Sequence, residues 1–117
     1  MAVKAMKEAE FESLARKNQV VVLAFGASWC EPCHTFERVC DELSASHPEV
    51  LFAKMDVDEA TGLVADFAVR SVPYVMIMRQ RTVLYAKAGQ LERDELNHML
   101  ELALAMKGEK LNDETAG

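Results

Sequence analysis

Cys30 and Cys33 are the residues whose type and spacing could most readily do chemistry. Two thiols separated by two residues can close a small disulfide ring with tolerable geometry and open it again by exchange. Such a pair is a redox switch rather than a structural staple. The pair stands in Trp29-Cys30-Glu31-Pro32-Cys33, between an apolar run, Val20 to Phe25, and a stretch with helical spacing. A sulfur at the start of a helix faces unpaired backbone N–H groups and the positive end of the dipole. That setting lowers a thiol pKa from ~8.5 towards ~7 or below, so a useful fraction is thiolate at neutral pH. Cys30 is therefore expected to be an exposed nucleophile. Cys33, one turn on, is expected to be more buried and to attack the mixed disulfide that Cys30 forms.

The neighbours modulate this expectation. The Glu31 carboxylate beside Cys30 would disfavour the thiolate, although an acid in a first helical turn is also simply a good helix start. Pro32 is harmless there, because a first-turn amide has no intrahelical partner. Trp29 offers a flat apolar surface beside the nucleophile, or a packing aromatic. His34 is either a solvated helix residue or a stabiliser of the Cys30 thiolate. Cys40 shares the apolar helix face with Cys33 and reads as a buried, inert thiol. Structural zinc wants four ligands, commonly from two such pairs. Here there is one pair, with Cys40, His47 and His98 scattered, so no metal site is expected.

The elements that must position the pair follow from periodicity. Ala2 to Ala5 fits an edge strand or the start of the first helix. Glu8 to Lys17 reads as a helix with Phe11, Leu14 and Ala15 on one stripe, ended by Asn18. Val20 to Phe25 is the run expected of a strand buried on both faces. From Glu31 to about Ser46, the residues Cys33, Phe36, Val39, Cys40 and Leu43 share one helical face. Val50 to Val57 is a second strand, and Asp58 can cap a short helix, Glu59 to Phe67. Tyr74 to Met78 and Thr82 to Ala88 form a hairpin about a polar turn, Arg79-Gln80-Arg81. Glu92 to Met106 is an amphipathic helix with Leu96, Met99, Leu100, Ala103 and Leu104 on one side. The order predicts an α/β fold: a central mixed β-sheet with helices on both faces. The expected organisation is one domain over 1–107 and a mobile tail over 108–117.

Composition narrows the class. A chain of 117 residues that is half apolar and 27% charged has the length and balance for one soluble core. Its net charge of −6 and lack of a Lys/Arg run argue against nucleic-acid or anionic-membrane binding. No apolar run is long enough to span a bilayer, and Met1 to Glu8 has no signal-peptide core. With an odd count of three cysteines, the expectation is a cytoplasmic monomer whose thiols stay reduced.

With these residues together, the chain resembles the thioredoxin family from about residue 3 to residue 106. Trp29-Cys30-x-Pro32-Cys33 matches the family's active-site motif, with Glu31 in place of the usual glycine. Val72-Pro73 lies forty residues beyond Cys33, at the family's cis-proline position. Lys54 matches its buried lysine, although with Ala24 in place of that lysine's aspartate partner it equally fits one more lysine pointing out of a strand. Gly89 matches the glycine that faces the active site. The resemblance implies the thioredoxin fold and a thiol-disulfide oxidoreductase that reduces protein disulfides and is recycled by a reductase. No cofactor is required by that chemistry. It implies that Trp29, Val72, Pro73 and Gly89 contact substrate. A cis bond at Pro73 would turn the chain and expose the Val72 backbone to an extended substrate strand, whereas a trans bond would make an ordinary turn.

Three departures stand out. The family's buried aspartate is Ala24, which cannot transfer protons, so water, Glu31 or Lys54 must help if Cys33 needs a base. The proline that kinks the active-site helix is Arg38, which suggests a straighter helix. No glycine occupies the hairpin turn at 79–81. Ala24 and Glu31 keep a second reading open, a binding, adaptor or chaperone-like module with weak redox activity, against which the intact Cys pair and Pro73 weigh. A third reading is a slow redox sensor.

Overall fold

The computed structural model describes residues 3–106; the tail expected over 108–117 lies outside them. Five strands and four α-helices alternate up to a final β-hairpin and helix: β1 (Val3–Ala5), α1 (Phe11–Lys17), β2 (Val20–Gly26), α2 (Glu31–Ser44), β3 (Val50–Asp56), α3 (Thr61–Asp66), β4 (Tyr74–Arg79), β5 (Thr82–Ala88) and α4 (Arg93–Ala105). A 3-10 turn, Glu8–Glu10, leads into α1. The open alternative for the first residues resolves as a strand.

The strands form one sheet in the order β1-β3-β2-β4-β5. β3 runs parallel to both β1 and β2, while β4 is antiparallel to β2 and β5 to β4. The mixed sheet expected from the element order is therefore the one observed. β2 lies at its centre, and period-two alternation divides the core between its faces. Val20 and Val22 pack with Phe36, Cys40 and Leu43 of α2 and with Leu96, Leu100 and Ala103 of α4. Val21, Leu23 and Phe25 pack on the other face with Phe11 and Ala15 of α1 and with Leu63, Val64 and Phe67 around α3. Cluster membership thus agrees with the apolar stripes read from spacing.

Three local expectations are corrected. Asp58 does not cap α3. Its own N–H donates to Asp56 Oδ1 at 2.7 Å, and the helix begins later, at Thr61. The first-turn amides instead donate across the fold to Glu8, from Gly62 N to Oε1 at 3.4 Å and from Leu63 N to Oε2 at 3.1 Å. Arg79 is not in the turn. It ends β4 on the same face as Val75 and Ile77, so alternation buries it, and its Nε and Nη1 have no hydrogen-bond partner. The turn is Gln80-Arg81, with φ of 50° and 72°. Both lie in the left-handed region that two-residue hairpin turns require and that glycine would occupy without strain.

Candidate active site

Cys30 is the N-cap of α2. Its backbone is extended, and its sulfur accepts the Cys33 N–H at 3.2 Å. Glu31 and Pro32 form the exposed first turn, so the proline removes only an amide that would have gone unpaired. The helix then runs without interruption past Arg38, where the family has its proline. Cys30 and Cys33 are joined by a disulfide, with Cα atoms 5.3 Å apart.

Burial of the pair reverses the expectation. Cys30 is only 5% exposed, and Cys33 is half-buried. The Cys30 sulfur is bonded to Cys33 Sγ and accepts the Cys33 amide at the helix start. Cys33 lines a cavity of about 410 Å³ behind the disulfide. Gly26 abuts it there. A Cβ on Gly26 would come 3.1 Å from both Cys33 Cβ and Sγ, so the end of β2 must stay bare for the helix to approach.

Other residues singled out from the sequence gather around this point. Trp29 is 72% exposed next to Cys30. The Val72–Pro73 peptide is cis, and buried Pro73 lines the same cavity as Cys33. Gly89 N–H donates to the Pro73 carbonyl at 2.8 Å, extending the β4–β5 pairing past Tyr74 and Ala88 to the sheet end where Val72 lies. Gly89 needs to be glycine for its φ of 99°, and a Cβ there would meet nothing within 4 Å.

Lys54 is not buried. It lies opposite Ala24 in the β2–β3 register, its side chain is 46% exposed, and its ammonium reaches the Glu37 carboxylate at 2.9 Å. With no acid at Ala24, the lysine side chain leans outward to the nearest carboxylate on α2. Glu37 is the residue that reading the sequence missed; its signal was the four-residue spacing from Cys33, which places both on one helix face. His34 also lines the cavity, while His47 is buried elsewhere, 2.7 Å from Asn97. Cys40, buried behind the pair, is a free thiol. Its pKa is pushed up to about 12, mainly by burial and further by the charges of Asp41 and Glu37. Among the described residues, no three of the His, Cys, Asp and Glu side chains gather as metal ligands would, and no helix is long and apolar enough to cross a membrane.

The thioredoxin family model matches residues 2–102. The chain is 33% identical to thioredoxin H1 of Arabidopsis thaliana over 97 residues, covering 80% of this chain and 84% of that one. It is 31% identical to a thioredoxin of Haemophilus influenzae, covering 81% and 91%. Among solved structures, a mutant thioredoxin from Halobacterium salinarum aligns with a TM-score of 0.78 and 28% identity, over 90% of this chain and 91% of that one.

Proposed function

The chain belongs to the thioredoxin family and is a thiol-disulfide oxidoreductase; on that premise we propose that Cys30 is its nucleophile and Cys33 its resolving thiol. The family acts on disulfide-containing proteins and draws electrons from a reductase. The observation that carries the assignment is the N-cap position of Cys30, whose sulfur accepts the Cys33 amide. A charge on that sulfur is stabilised by the helix start, so Cys30 is the thiol that ionises more readily once the pair is reduced.

The chemistry is two exchanges. The Cys30 thiolate attacks one sulfur of a substrate disulfide, forms a mixed disulfide and displaces the other sulfur as a thiolate. The Cys33 thiolate then attacks Cys30 Sγ, the bond to substrate breaks, and the second substrate thiolate leaves. Two electrons have passed from the dithiol to the substrate, and the Cys30–Cys33 disulfide remains for a thioredoxin-reductase-like donor to reduce. An extended substrate segment lies along Trp29 and the Val72–Pro73 peptide, pairing with the free sheet end beside Gly89. Glu31 opposes the helix start and makes Cys30 less acidic than glycine would. The protein works as a cytoplasmic monomer.

Insulin reduction driven by dithiothreitol tests the assignment. Cys30→Ser should abolish turnover, and Cys33→Ser should accumulate a covalent mixed disulfide visible by intact mass. Trapping through Cys33 instead, in the Cys30→Ser protein, would reverse the two roles.

A further inference from the structure

The cavity behind Cys33 is bounded on its helix side by Cys33 and Glu37 and on its sheet side by Ala24 and Lys54. Ala24 and Lys54 are cross-strand partners, so the strand position facing the helix carries no proton acceptor. Cys33 and Glu37 are four residues apart on α2 and project from one face. Lys54 Nζ holds Glu37 Oε2 at 2.9 Å, while Oε1 has no hydrogen-bond partner among the described residues. The Glu37 side chain both lines the cavity and is 26% exposed to solvent.

We propose that Glu37 accepts the proton of Cys33 in the resolving exchange, with Lys54 as its positioning partner. This rests on the reading that Cys30 attacks and Cys33 resolves. In the mixed disulfide Cys33 is a thiol, which attacks well only as thiolate. Its proton passes to the Glu37 carboxylate, directly or through one water, for which a cavity of about 410 Å³ has ample room. The Cys33 thiolate attacks Cys30 Sγ, and the electron pair of the broken bond leaves on the substrate sulfur, which takes a proton from water. Glu37 returns its proton to solvent through its exposed side.

Other charged and titratable groups also face the cavity. They are His34 and Cys40 from α2, Asp56 from β3, Lys7 from the segment after β1, and Glu59 from the loop after β3. Asp56 is a rival carboxylate on the sheet side; its Oδ1 accepts the Asp58 amide at 2.7 Å, and it is not four residues from Cys33 on α2 as Glu37 is. The sign of the effect separates a proton acceptor from a mere neighbouring charge. Removing a nearby negative charge would by itself favour the Cys33 thiolate and speed resolution. Removing the acceptor slows it.

The test is stopped-flow reaction of the reduced protein with excess dithiobis(nitrobenzoate). Attack by Cys30 releases the first coloured thiolate, and resolution by Cys33 releases the second. Glu37→Gln should leave the first phase unchanged and slow the second about tenfold or more at neutral pH. That deficit should close as pH rises and hydroxide does the work. Glu37→Asp should recover much of the rate, and Asp56→Asn should leave both phases as in wild type. A second phase in Glu37→Gln that is unchanged or faster, or equally slow at every pH, overturns the proposal, as does slowing by Asp56→Asn alone. Absence of a first phase in wild type would instead overturn the assignment of Cys30.

Discussion

At the scale of single residues, three cysteines on one helix have three environments. Cys30 has the helix start, Cys33 the cavity, and Cys40 the core. Cys40 makes the cleanest prediction, because its pKa is pushed from 9.0 up to about 12 by burial first and by Asp41 and Glu37 after it. The folded chain keeps this thiol neutral, whereas the unfolded chain ionises it above pH 9. Its contribution to stability is therefore present below about pH 9 and is lost between about pH 9 and 12, at up to about 1.4 kcal/mol per pH unit. Urea unfolding of the oxidised protein across that window should show a steeper loss in wild type than in Cys40→Ala, and parallel curves would count against a neutral Cys40. The type and inertness of Cys40 could be read from its place on the apolar stripe. The burial of Cys30 could not, since spacing along a helix does not tell how the loop before its start packs around the capping residue.

Among the elements, α3 shows where spacing stops being informative. Its apolar residues were legible, but its start was not, because the cap comes from Glu8, which is more than fifty residues away in sequence. A helix of six residues has little intrinsic stability, so a carboxylate on its first amides matters. Glu8→Ala should cost about 1 kcal/mol, the usual value of a lost cap, read as a shift of the urea midpoint at unchanged slope. The same reasoning explains Arg79. Alternation continues to the end of β4, and a strand long enough to pair with β2 carries its last residue inward whatever its charge. By contrast, β2 and α2 were read nearly to the residue, since a continuous apolar run and a strong stripe leave few alternatives.

For the whole molecule, the sheet divides one core into two faces, and α2 ties one of them to the redox pair. Phe36 sits between Cys33 and Cys40 and is fully buried. Phe36→Ala should destabilise by about 3–5 kcal/mol, while Leu102→Ala, at a site 55% exposed, should change stability by no more than about 0.5 kcal/mol. Equal midpoints in urea for the two variants would show that α2 is not docked as described. Element order sufficed to read the mixed sheet, since parallel strands need crossovers and a short turn enforces an antiparallel pair. Strand β5 carries a consequence for solution behaviour. It borders the sheet with nearly every residue exposed, including Val83 and Leu84, a profile that invites chain-to-chain zippering into aggregates. The register, however, jumps from Ile77↔Tyr85 to Met78↔Val83, leaving Leu84 as an unmatched extra residue midway along the strand. That irregularity and the charge of Lys87 break the row of outward amides into short pieces, so a concentrated stock is protected against templated stacking at the border where it would otherwise begin.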